Sequence, residues 1–246
     1  MALTAITVEG VTLTDNARNI KVMNYGTVKK RGTNLTIPHR DGEWSSNPKW
    51  LAGGNLILEV MLKTVPSPEE NLSDIIAAFN QADTTSTITG THEFAGAVRC
   101  EVEMLNSPAQ SPSNPNVYRF VLRNPKGSWE SVTATSSTGN SGTPAAITTS
   151  GDTPIDDFTI LYPAGAGYVE HTRSDSVVAR ATLEAGASTG TTVDMGNRTV
   201  LTATGGAQDA YLAVTQPYWM RFDAGSTQAI TASVNHTITW RSKWAV

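Results

Sequence analysis

Leu56-Ile57-Leu58-Glu59-Val60-Met61-Leu62-Lys63-Thr64, then Val65-Pro66, then Ser67-Pro68-Glu69-Glu70-Asn71-Leu72-Ser73-Asp74-Ile75-Ile76-Ala77-Ala78-Phe79-Asn80, is the stretch whose reading decides the fold. In its first part Leu56, Leu58, Val60 and Leu62 face one way, and Glu59 and Lys63 the other. Successive side chains of a strand alternate between faces, so this is a half-buried strand. In its second part Ser67 sits as an N-cap, Pro68 at the first helical position, and Glu70 completes a Ser-x-x-Glu capping box. Leu72, Ile75, Ile76 and Phe79 follow at helical spacing and form one apolar stripe, so a helix is predicted over 67–80. It is the one helix the sequence supports.

Everything around it reads as short strands. Upstream, residues 6–13 alternate around Gly10 and predict a hairpin, and 20–25 and 34–37 are further strands. Residues 41–55, with Trp44, Pro48, Trp50 and Gly53-Gly54, show no period and read as an ordered loop or arm. Downstream, strands over 97–105 and 117–123 flank a proline-rich connection at 107–115. Residues 132–143 are rich in Ser, Thr and Gly and read as a linker or an exposed crossing. Beyond them strands are expected at 145–149, 158–162, 177–183, 191–195, 211–215, 218–222 and 234–240, separated by turn clusters such as Gly186-Ala187 and Gly205-Gly206. Short strands at regular spacing argue for an antiparallel sandwich. The predicted fold is mainly β: an α+β first domain with one helix over 1–131, and an antiparallel β-sandwich over 132–246.

Composition narrows the function. Of the 246 residues 16% are charged, below the roughly 25% of soluble domains. The net charge is −4, and Lys29-Lys30-Arg31 is the longest basic run, so nucleic acid is not an expected partner. No apolar run approaches the ~18 residues that would indicate a membrane span, so membrane insertion is not expected. Met1-Ala2-Leu3-Thr4 shows no signal-peptide pattern, and the chain is expected to fold in the cytoplasm of the cell that makes it. The sequons at Asn34, Asn71, Asn197 and Asn235 then reflect threonine content. The single cysteine, Cys100, shares an apolar strand face with Val98, Val102 and Met104 and reads as a small buried hydrophobe.

Chemical motifs are weak throughout. His39, His92, His171 and His236 form no metal-spaced cluster, and no cofactor is called for. His236 lies on an apolar strand face and reads as packed. Val169-Glu170-His171-Thr172-Arg173 reads as a loose polar cluster. Asp156-Asp157 reads as a solvated turn, because neighbours in a strand point to opposite faces. Arg40 and Asp41, beside Pro38, read either as an ion pair between subunits or as an exposed turn. Trp44 and Trp50 read either as interface anchors or as plugs of their own core. No catalytic constellation is visible, and the chain is not expected to be an enzyme.

Two regions resemble the distal tail proteins of siphophages. Ile37-Pro38-His39-Arg40-Asp41-Gly42, followed by the strand and helix above, is similar to that family's apolar-Pro-x-Arg-x-Gly segment, with His39 where glycine is frequent. The second half looks like the family's galectin-like sandwich: Gly151-Asp152-Thr153-Pro154 opens it. Tyr218-Trp219-Met220-Arg221-Phe222-Asp223-Ala224-Gly225-Ser226 precedes a last strand that ends in Trp240-Arg241-Ser242-Lys243-Trp244. The resemblance implies a virion protein at the tail tip. Its first domain would close into a ring of six copies, and its second would project outward. The tail tube protein and the baseplate hub would be its partners, with a receptor-binding protein or a host glycan as a further one. Pro38, Arg40, Asp41, Trp44 and Trp50 are the candidate subunit contacts. The alternative is a carbohydrate-binding module, with Trp219, Trp240 and Trp244 as stacking residues.

Overall fold

A computed structural model of the chain describes residues 3–14, 18–24, 30–31, 34–36, 43–45, 50–51, 54–63, 67–80, 85–174, 176–207, 212–214 and 220–244, those of 18–54 and 213–214 by backbone alone. Two compact units divide it: Met1–Val132 with Ala245–Val246, and Thr133–Trp244. Both are built of antiparallel strands, and the one helix among the described residues lies in the first.

The first unit opens with β1 (Leu3–Val8) and β2 (Val11–Thr12), a hairpin turned by Glu9 and Gly10 at φ 46° and 80°. Two positive φ angles in succession are the backbone of a type I′ turn, which suits the twist of a hairpin. Then come β3 (Arg18–Asn24), β4 (Lys30–Arg31), β5 (Asn34–Thr36), β6 (Glu43–Ser45) and β7 (Trp50–Leu51). β5 pairs with β6 and β4 with β7, so the chain doubles back over this stretch. The expectation of a loop or arm without strands over 41–55 is thereby corrected; strands of two or three residues are too short to show a period.

β8 (Gly54–Leu62) is the alternating strand, with Leu56, Leu58, Val60 and Leu62 buried. α1 (Pro68–Phe79) starts where its cap predicts: the Glu70 N–H donates to the Ser67 hydroxyl at 3.1 Å. Its buried stripe is turned slightly from the expected one, to Asn71, Ile75, Ala78 and Phe79, with Leu72 and Ile76 half-buried. Asn71 tolerates burial because its amide donates to the Lys63 carbonyl at 3.2 Å. Phe79 meets Phe120 with ring centroids 5.6 Å apart. β9 (Ser86–His92), β10 (Gly96–Met104), β11 (Ala109–Ser111), β12 (Asn114–Asn124) and β13 (Trp129–Ser131) complete the unit. The main path of the sheet is β2-β1-β9-β10-β12-β8-β3, with β11 on β12 and β13 on β10.

The second unit holds β14 (Thr135–Gly139), β15 (Ala146–Thr148), β16 (Thr159–Tyr162), β17 (Gly167–Thr172), β18 (Val178–Leu183), β19 (Thr191–Asp194), β20 (Thr199–Leu201), β21 (Leu212–Val214), β22 (Thr227–Ala232), β23 (His236–Trp240) and β24 (Lys243–Trp244). Two five-stranded sheets, β14-β23-β16-β19-β20 and β15-β22-β17-β18-β21, enclose one core that includes Ile147, Ile160, Tyr162, Val169, Ile230 and Ile238. The Tyr162 hydroxyl is satisfied inside by the Ala181 carbonyl at 3.0 Å. Two expectations are corrected here. Residues 132–143 are not a linker: β14 pairs along its whole length with β23, from Thr135 opposite Trp240 to Gly139 opposite His236. Among the described residues of 218–222 there is no strand, only an isolated bridge in which Phe222 and Ile155 exchange bonds of 2.9 Å.

Candidate functional site

Among the described residues no three His, Cys, Asp or Glu side chains are grouped to hold a metal ion. A cleft of about 320 Å³ in the second unit is lined by Thr138, Gly139, Asn140, Thr143, Pro163 and Asn235. It presents neither a general acid or base nor an aromatic face for a sugar. Cys100 is buried, and burial first, then Glu130 and Glu101, pushes its thiol up, away from a reactive thiolate.

The three histidines among the described residues are packed into the fold. His236 is fully buried, its Nδ1 3.0 Å from the Val234 carbonyl. His92 Nδ1 accepts the amides of Phe94 and Ala95 at 3.3 and 3.2 Å. His171 corrects the sequence reading: it lies on β17, 1% exposed, inside the sandwich and edge-on to Phe222 at 5.4 Å. Among the described residues none meets hydrogen-bond geometry with either ring nitrogen. Burial pushes this imidazole down, and the Ala229 backbone, Asp223 and Gln228 oppose it only in part. His39 lies outside the described residues.

Asp156 and Asp157 are also corrected. They lie outside any strand, so the rule of opposite faces does not apply, and both carboxylates converge on the Lys243 ammonium, at 2.9 and 2.6 Å. Burial alone would push Lys243 down, but Asp157 and Asp156 together hold it above its ordinary value. The Lys243 carbonyl accepts the Thr153 N–H at 3.2 Å, and a Cβ on Gly151 would come within 1.8 Å of that oxygen. This is a latch that ties the end of the unit to its beginning; all three charges are used in it.

The expected interface residues are only partly placed. Pro38, Arg40, Asp41 and Trp219 lie outside the described residues. Trp44 stands opposite Leu35 on β6, and Trp50 opposite Arg31 on β7. Trp240 is 3% exposed within the sandwich core, so neither ring face is open to a sugar, which corrects its candidacy. Trp244 is half-buried.

Two surfaces of the first unit were not singled out by sequence. Phe94, at the turn between β9 and β10, is 77% exposed. On the outward face of β8 and β12, Ile57 stands opposite Val121 and Met61 opposite Val117, with Glu59 and Arg119 between them. The signal was present in both places: an aromatic residue where turns take polar ones, and a strand apolar at Ile57 and Met61 as well as at its core positions.

A sheet with one helix, followed by a two-sheet sandwich, is a fold already seen among solved structures. Among the solved structures it is similar to is the Dit (gp 19.1) protein of SPP1, described as a paradigm of the hub adsorption apparatus in Gram-positive infecting phages. The TM-score is 0.69 over 97% of this chain and 98% of that one, at 15% identity. No family model and no curated protein matches the chain.

Proposed function

We propose that the protein is a structural component of the tail tip of a long-tailed phage, a ring that joins the tail tube to the host-adsorption apparatus. The observation that carries this is the likeness to the SPP1 protein across both units and nearly the whole of both chains. In this reading the first domain, 1–131, forms the ring, with six copies as the family resemblance implies, and the galectin-like second domain, 132–246, stands outside it. The tube protein binds one face and the hub the other. The protein works by position, as a socket, and not by catalysis. Its subunit contacts include the segment of Pro38, Arg40 and Asp41 and the strands that carry Trp44 and Trp50.

Immunogold labelling of virions tests this reading. Gold confined to the distal end of the tail is the expected result. Gold along the tube or on the capsid, or a virion that lacks the chain, would contradict it.

A further inference from the structure

We propose that the two unexplained surfaces of the first unit are the halves of one contact between copies: the Phe94 tip of one copy docks on the outward face of β8 and β12 of the next. The inference rests on the ring reading above and names the surfaces that close the ring.

The tip is built to bind. Glu93, Phe94 and Ala95 join β9 to β10, and Gly96 at φ 70° completes the turn. Polar or small residues suit such a turn, and the Phe94 ring, 6.1 Å from the His92 ring, stays 77% exposed. A Phe side chain carries about 150 Å² or more of burial, here left in water. The His92 imidazole accepts two amides of the turn, so the tip is held in one shape before it meets a partner. A preformed knob loses little freedom on docking.

The face is built to be covered. The inward side of β8 and β12 is closed by Leu56, Leu58, Val60, Phe120 and Leu122. A sheet with water on its other side is expected to be polar there. Instead Ile57, Val121, Met61 and Val117 form two apolar cross-strand pairs. Leu105, 44% exposed, continues the patch, its N–H bonded to the Val121 carbonyl at 3.1 Å. Arg119, opposite Glu59 in the middle of the patch, is exposed, and it is the cation that Glu93 beside Phe94 meets in the proposed contact.

The tip cannot reach this face of its own chain. β10 runs from the turn to Met104, which stands opposite Leu122, and its residues span roughly 30 Å at strand rise. The contact therefore needs a second copy. Knob and face are different patches, so the contact is head-to-tail, the kind that a rotation repeats into a closed ring.

The test measures assembly of the full-length protein by native mass spectrometry and sedimentation, for wild type, Phe94→Ser, Glu93→Arg, Arg119→Glu and the double variant Glu93→Arg with Arg119→Glu. Circular dichroism melts verify folding, which Phe94→Ser leaves intact because the ring is 77% exposed and the His92 imidazole still accepts the amides at positions 94 and 95. The expected result is a more than tenfold weaker association in Phe94→Ser, weakening in each charge variant, and recovery in the double variant. Loss in Phe94→Ser without recovery in the double variant would overturn the β8–β12 face as the socket. Wild-type rings unaffected by every variant would overturn the inference and leave the ring reading intact. A wild type that stays monomeric at all concentrations would overturn both.

Discussion

In the second unit the outward strand positions hold hydroxyls that pair across strands, Ser136 with Thr239 at 2.9 Å and Thr148 with Thr227 at 3.1 Å. In the first unit the equivalent positions of β8 and β12 hold Ile57, Met61, Val117 and Val121. Charges are paired within both units: in the first, Arg99 meets Glu130 and Lys126 meets Glu101, each at 3.3 Å. Lys243 is held by Asp156 and Asp157 in the second unit, and Arg180 lies 4.3 Å over the Tyr168 ring while its Nε donates to Glu170 at 2.7 Å. Among the described residues of the second unit the exposed large apolar side chains are Val178 and Leu201, at 38% and 39%. In the first unit Phe94 is 77% exposed, and Met61 and Leu105 are 41% and 44% exposed. On the reading proposed above, burial in the second unit's core sets that unit's stability, while the outer surfaces of the first set assembly.

That division can be broken from either side. The largest effect is expected for Phe222→Ala, which removes a ring packed 4.2 Å from Phe158 and edge-on to His171. It should destabilise the second unit by about 3–5 kcal/mol in urea unfolding and leave the association constant of folded protein unchanged. A matching fall in association would end the division of labour.

Lys243→Met keeps the stem of the side chain and removes its charge, leaving two carboxylates facing each other. The expected loss is about 2 kcal/mol, less than for a fully buried pair, because Asp156 and Asp157 remain 44% and 28% exposed. Lys243 titrates higher when folded, so its contribution is complete below the unfolded value, near 10.5, and fades as pH rises above it. Alkaline unfolding curves of wild type and Lys243→Met should therefore converge; a gap that persists at high pH would contradict the latch.

His171 works at the other end of the scale. Its folded value is depressed, so the unfolded chain binds the proton first. Stability of the second unit is complete above about pH 6.5 and is lost as pH falls below it, by at most about 1.4 kcal/mol per pH unit. His171→Phe should flatten that slope in urea titrations between pH 5 and 7; an unchanged slope would assign it to another group. The smallest effect is expected at the helix cap: Ser67→Ala loses the bond to the Glu70 amide and costs the first unit about 1 kcal/mol, read as a shift of its melting alone.

The helix and the main strands were legible because apolar spacing and capping agree there. The stripe of α1 was misread by a small rotation since Asn71, a polar residue, takes an inward position by bonding to Lys63. β9 escaped notice because its inward positions are Ser86, Ile88, Gly90 and His92, which carry only one aliphatic side chain. β14 looked like a linker for the same reason: Thr, Ser and Gly form a good strand on a pleated surface without any apolar period. Burial of His171 and Trp240, and the meeting of Lys243 with Asp156 and Asp157, depend on pairings between distant segments that no local pattern encodes. Phe94 was readable in principle, as a large apolar residue in a turn, but its exposure and its distance from the β8–β12 face exist only in three dimensions.

The central claim is that this chain closes on itself through its first unit. Native mass spectrometry of the full-length protein, with negative-stain images of the same sample, tests it most directly. The account predicts closed rings of a single subunit number that dissociate on Phe94→Ser while both units remain folded. A monodisperse monomer across the whole concentration range, with both units folded, would contradict it.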